Sequence, residues 1–111
     1  MNFEQFNDYQ DQAAKTAVYP ERFTILYTAL GLSSEAGEVA GKVKKVLRDH
    51  NGKFSDEMRW NIADEVGDVM WYAALLCRDL NIPLDEVIRR NLVKLNSRLE
   101  RGVLGGSGDN R

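Results

Sequence analysis

Four carboxylates stand within apolar helical stripes, Glu35 and Glu38 in one segment and Glu65 and Asp68 in another. Residues three apart on a helix share a face, so each pair converges on one point. Two such helices packed face to face would gather four negative charges in a partly dry groove. Carboxylates held side by side in such a place cannot all stay ionised unless protons or a cation compensate, because desolvation and like-charge repulsion both raise their pKa values. Hard oxygen donors alone favour Mg²⁺, with Mn²⁺ the other candidate. The competing reading is ordinary ion pairing of these acids with Lys42, Lys44 or Lys45. It would be preferred for one i,i+3 acid pair, whereas two pairs on matching inward arcs favour the metal.

The elements that must position these acids follow from helical periodicity and from where proline and glycine fall. The arc centred on Glu65 also holds Met58, Ile62, Asp68, Val69, Tyr72 and Leu76, and the face of Glu35 and Glu38 holds Thr28, Leu32, Val39, Lys42 and Val46, so both acid pairs point inward. The spacing predicts a first helix over about 2–17, with Phe3, Phe6, Gln10, Ala13 and Ala17 on its packing face, stopping before Pro20. A second covers about 21–48 and ends at the turn Asp49-His50-Asn51-Gly52. Ser55 is a natural N-cap, with Asp56 and Glu57 in the first turn of a third helix reaching about residue 80. Pro83 suits the first turn of a fourth, ending near residue 102. The stretch 102–111 is too glycine-rich for a helix and is either a loose tail or a loop ordered by a ligand. No stretch alternates like a strand, so the fold class is all-α: a four-helix bundle in one domain spanning 1–111.

The fourth helix divides into two faces. Leu84, Ile88, Leu92, Leu95 and Leu99 form an apolar arc that packs, while Arg90, Lys94, Arg98 and Arg101, with Asn91 at the edge, form a basic arc that can meet an anion. Cations beside a metal-carboxylate groove suit a polyphosphate, whose oxygens bridge metal and Lys or Arg. Lys42, one turn beyond Glu38, either neutralises the acids or reaches a phosphate. The third helix is apolar on its other side too, at Trp60, Gly67, Met70, Trp71 and Ala74. Three other helices of this size cover such a helix only in part, which predicts a homo-oligomer, most simply a two-fold dimer. Gly37 and Gly41 would allow close helix contact there or within the subunit. Trp60, Trp71 or Tyr72 could stack on a nucleobase, although core packing is the ordinary role for each.

Composition excludes other classes. Of 111 residues 43% are hydrophobic, enough for a core. Fifteen basic against 17 acidic residues, a net charge of -2, give no general attraction to a nucleic-acid polymer or an anionic membrane. The lone Cys77 rules out a disulfide framework and points to a reducing, cytoplasmic setting. Residues 1–9 carry no signal-like pattern, and no apolar run approaches the ~20 residues of a membrane span. A ferritin-like di-iron site needs Glu-x-x-His pairs, and the sole histidine, His50, sits in a turn.

Taken together, these residues resemble the MazG-like nucleoside triphosphate pyrophosphohydrolases of the all-α NTP pyrophosphatase superfamily. That family's signature is E-E-x-x-E followed by E-x-x-D, and Ser34-Glu35-Ala36-Gly37-Glu38 and Glu65-Val66-Gly67-Asp68 occupy those places. The resemblance continues through Tyr9-Gln10, Thr16-Ala17, Gly31-Leu32, Lys44-Lys45, Asp68-Val69-Met70-Trp71-Tyr72, Asn91-x-x-Lys94-Leu95-x-x-Arg98 and the closing Gly-Ser-Gly-Asp-Asn-Arg. It implies hydrolysis of (deoxy)nucleoside triphosphates to the monophosphate and pyrophosphate, with Mg²⁺ held by Glu35, Glu38, Glu65 and Asp68. It also implies that Asn91, Lys94 and Arg98 handle the triphosphate and that the protein is a homodimer or homotetramer. Ser34 departs from the signature, standing where many members have the glutamate that is a candidate for activating the water. The proton of a metal-activated water attacking the α-phosphorus then passes to a ligand carboxylate, with Glu38 the choice. A regulator that binds a triphosphate without cleaving it is the alternative that Ser34 suggests.

Overall fold

The computed structural model describes residues 2–111; Met1, within the stretch 1–9 expected to carry no signal-like pattern, lies outside them. Four helices run in chain order, α1 (Glu4–Ala14), α2 (Thr24–Asp49), α3 (Asp56–Asp79) and α4 (Leu84–Glu100), and the described residues contain no strand. The all-α expectation therefore holds, and the ends show what periodicity cannot see. α1 stops at Ala14 because the Thr16 hydroxyl donates to the Ala13 carbonyl at 2.8 Å, taking an acceptor from the last turn. α2 begins three residues late because Phe23 adopts a left-handed φ of 62°, outside the helical basin. Ser55 caps α3 as expected, its Oγ accepting from the Met58 N–H at 3.2 Å. Pro83 lies just before α4, with an extended ψ of 138°, rather than inside its first turn.

The two long helices pack along each other as an antiparallel hairpin, and α1 and α4 lie on α3 and on one another. No residue of α4 comes near α2. Thr28 and Val46 of α2, and Ala74 and Leu75 of α3, are buried in the resulting core. Gly31 lies where the hairpin helices meet closely: a Cβ there would overlap the Tyr72 ring. Gly31→Ala is therefore expected to destabilise the fold by about 1–2 kcal/mol, overpacking outweighing the helical preference for alanine. Urea unfolding checks this, and a variant as stable as wild type would show that the ring moves aside freely.

A second lock is the buried Gln10. Its amide nitrogen donates to the Ala74 carbonyl at 3.0 Å and the Ile82 carbonyl at 3.2 Å, and its oxygen accepts from the Leu84 N–H at 3.2 Å. One side chain thus ties α1 to α3 and to the turn that starts α4.

The subunit is open. Its radius of gyration is 16.8 Å, against about 13 Å for a compact domain of about 100 residues. Leu26 and Leu30 of α2, and Trp60, Val66 and Met70 of α3, are exposed, Trp60 by 71%. Among the described residues no atom packs over Gly37, Gly41 or Gly67. The second apolar side of α3 is thus covered only at its Trp71–Ala74 end, by α1. Two expectations for α4 need correction. Leu95 and Leu99 are exposed instead of packed, because α2 makes no contact with α4 to complete the bundle around that arc, and Arg98, expected on an open basic face, is buried.

Candidate active site

The α2–α3 hairpin brings acids from both helices to one place. Oxygens of Glu35, Glu65 and Asp68 all lie within 4.8 Å of one another. Two oxygens sharing one Mg²⁺ are separated by at most about 4.2 Å, twice the metal–oxygen distance, so small side-chain rotations suffice to seat an ion. Glu35 and Glu65 are half-buried and Asp68 is exposed, placing the centre at the mouth of the groove. Glu38 lies outside the group of three and is exposed on α2. It still stands near enough for its charge to act on Glu35.

The electrostatics support a site built for a cation. The Glu35 carboxyl is pushed above its ordinary value, first by desolvation, then by the charges of Asp68, Glu65 and Glu38 and by a hydrogen bond with Glu65. Lys42 supplies one compensating charge: its Nζ lies 3.0 Å from Glu65 Oε1 across the hairpin and donates to the Asn61 carbonyl at 3.3 Å. Of the two roles open to Lys42, the structure shows the first, neutralising an acid on the facing helix. One ammonium against four carboxylates leaves excess negative charge, and the all-oxygen donor set suits a hard divalent ion.

A pH prediction follows. A carboxyl whose folded pKa exceeds its unfolded value favours the fold at low pH, and that contribution is lost as pH rises through the folded pKa. In metal-free buffer, wild type is expected to lose melting temperature relative to Glu35→Gln as pH climbs from the ordinary glutamate range. Parallel curves from thermal melts would refute the crowding.

Tyrosines surround the centre. Burial raises the Tyr72 phenol, with Tyr27, Glu35 and Asp68 adding to the effect, and the Tyr9 phenol is raised by burial and then by Asp68. Tyr72 shares the arc of Glu65 and could have been found by periodicity, whereas nothing in the spacing marks Tyr9. Trp71 is committed to packing: its indole N–H donates to Thr16 Oγ1 at 2.9 Å, and its ring meets Tyr72 edge-on at 4.9 Å between centroids.

The other expected residues lie elsewhere. Asn91 and Lys94 line a cavity of about 430 Å³ with Val87 and Arg90 of α4 and Ile82 of the preceding turn. Lys94 and Arg98 meet Asp109 of the C-terminal segment and not the acids.

A family model described as the MazG nucleotide pyrophosphohydrolase domain matches residues 23–103, which takes in α2, α3, α4 and all four acids. The chain belongs to the MazG nucleotide pyrophosphohydrolase family. It is also similar to the "Gene 37 protein" of Mycobacterium phage L5, 49% identical over 109 residues that cover 93% of this chain and 96% of that protein. No solved structure matches the chain. Membership carries the general activity, pyrophosphohydrolysis of nucleotides, and the family's use of a divalent metal, for which Glu35, Glu65 and Asp68 form the candidate MazG centre. Among the described residues no helix is long and apolar enough to cross a membrane.

Proposed function

We propose that this MazG-family protein hydrolyses (deoxy)nucleoside triphosphates to the monophosphate and pyrophosphate with Mg²⁺, by attack of water on the α-phosphorus. The observation that carries the reading is the convergence of Glu35, Glu65 and Asp68 from two helices, with Glu35 pushed toward protonation by its neighbours. These three would hold the ion, with Glu38 as a fourth carboxylate; Mn²⁺ would fit the same donors. When bound, such an ion neutralises polyphosphate charge and makes water more acidic. Glu38, exposed and one turn from Glu35, accepts the proton of the attacking water. As the new P–O bond forms, the bond from the α-phosphorus to the pyrophosphate oxygen breaks. Lys42 keeps Glu65 oriented. Asn91, Lys94 and Arg98 take the triphosphate's outer oxygens, as charge-assisted donors do.

α4 does not touch α2 within the subunit, and the exposed apolar residues of α2 and α3 call for a cover. The working form on this reading is a homodimer or homotetramer whose second copy covers Leu30, Val66 and Met70. Light scattering on the eluting protein tests it, with a monomer refuting it. The whole chain, 1–111, acts as one domain in a cytoplasmic, reducing setting, where half-buried Cys77 stays a thiol. Neither a nucleic-acid polymer nor a membrane is a partner, given the net charge of -2.

Incubation with a panel of triphosphates and Mg²⁺ tests the activity. Monophosphate and pyrophosphate are expected, and release of orthophosphate alone would refute the assigned bond. Glu38→Gln is expected to lose turnover while staying folded; unchanged turnover would remove Glu38 from the mechanism. Ser34 favours the second reading, a nucleotide-binding regulator, which tight binding without any product over hours would support.

A further inference from the structure

The C-terminal segment folds back on α4 and closes on itself. Gly102, Gly106 and Gly108 take left-handed φ values of 69°, 93° and 85°, which glycine adopts without strain. Around them the Arg111 guanidinium donates to the carbonyls of Val103, Leu104 and Gly108, and Arg101 donates to the Arg111 carbonyl at 2.8 Å. The loop so formed presents Asp109 to α4. One carboxylate oxygen, Oδ1, sits 3.3 Å from both Lys94 Nζ and Arg98 Nη2, and the Asp109 carbonyl accepts from Arg98 Nη2 at 3.0 Å.

The two sides of this contact are unequal. Arg98 is 4% exposed and its Nε is buried with no hydrogen-bond partner, while the Asp109 side chain is 83% exposed. Both of the Arg98 contacts to Asp109 come from a single nitrogen, although a guanidinium offers five N–H donors in a planar fork. An anion carrying more oxygens than a carboxylate, a phosphate group above all, would complete that set. Lys94 also lines the cavity of about 430 Å³ beside Arg90 and Asn91. The lysine that lines the cavity is thus the one Asp109 already holds, and two anions brought to one ammonium and one guanidinium repel each other.

We propose that Asp109 is a built-in competitor of the substrate's polyphosphate: its carboxylate occupies Lys94 and Arg98 until a phosphate group displaces it. The proposal rests on the assignment of Lys94 and Arg98 to the triphosphate made above. An exposed carboxylate on a glycine-rich loop can leave without opening the core, and its return helps expel pyrophosphate after cleavage. Substrate affinity is lowered in proportion to the fraction of molecules whose pair is occupied.

Inorganic tripolyphosphate titrated calorimetrically into the full chain without Mg²⁺ tests this directly. Asp109→Asn is expected to bind about fivefold more tightly than wild type, the scale of an exposed ion pair. The KM for a triphosphate should fall by a similar factor, with no rise in kcat. Equal or weaker tripolyphosphate binding by the variant would overturn the proposal, since Asp109 would then steady the pair rather than compete for it. If neither form cleaved any triphosphate, the activity proposed above would fail while the calorimetric comparison still decided the role of Asp109.

Discussion

Asp68→Asn is expected to lower triphosphate turnover by about 10²- to 10³-fold while leaving the metal-free protein at least as stable as wild type. The two effects have opposite signs because they have one cause. In the free protein Asp68 is the largest charge acting on Glu35, which already sits above its ordinary pKa. Removing that charge relieves repulsion at the groove mouth and lets Glu35 ionise nearer its usual range. On the proposed reading the same carboxylate is one of three converging oxygens that would hold the ion, and an amide oxygen cannot replace its charge. A ligand that binds only the folded state raises the melting temperature, so Mg²⁺ should shift wild type upward and leave Asp68→Asn nearly unmoved.

Glu65→Gln would be a less clean probe. Glu65 is also the partner of Lys42 at 3.0 Å, so its loss would leave that ammonium without its carboxylate and confound metal loss with ion-pair loss. Asp68 has no ion pair among the described residues, so its substitution isolates the cation's requirement. Thermal melts with and without Mg²⁺, together with turnover, decide the matter. A variant that kept both the Mg²⁺ shift and the activity would remove Asp68 from the centre.

The meeting of Glu35, Glu65 and Asp68 was legible in the sequence because helical periodicity carries the information, whereas Glu38, expected with them, falls outside the group. Glu35 and Asp68 lie on arcs with Thr28, Val46, Tyr72 and Leu76, and packing those arcs together leaves the acids little choice of neighbour. The same logic failed where one helix has no partner along its length. Leu95 and Leu99 share a clean apolar arc with Leu84, yet only Leu84 is buried, since α2 makes no contact with α4 to cover the rest. Arg98 fails in the other direction. Its side chain belongs to the basic face but is met by a segment whose glycines gave no periodic signal, the return of Asp109 onto α4 accounting for its contacts there. Gly31 was visible as a residue next to the acids, but its reason, contact with the Tyr72 ring, depends on the depth at which two helices cross. Such depth is a property of the packed pair.

Gln10→Leu is expected to lower the melting temperature by about 8 °C or more at fixed protein concentration, a loss of about 2–3 kcal/mol at roughly 4–8 °C per kcal/mol for a small domain. Leucine preserves most of the volume, so the loss comes from hydrogen bonding rather than a cavity. The Leu84 N–H, one of the first-turn donors of α4 without an intrahelical acceptor, would be left buried with no partner, and the Ala74 and Ile82 carbonyls would each lose a donor. The consequence reaches function through α4 alone. α2 and α3 would keep their own packing and the acid centre between them, so the Mg²⁺-induced rise in melting temperature should survive. The helix that carries Asn91, Lys94 and Arg98 would lose its anchor to α1, and the KM for a triphosphate should rise more than kcat falls. A variant melting with wild type would show that the α3–α4 turn holds by itself, through the left-handed Asn81 at φ 59° and the Ile82 N–H bonded to the Cys77 carbonyl at 2.9 Å, and that Gln10 fills space more than it ties the helices together.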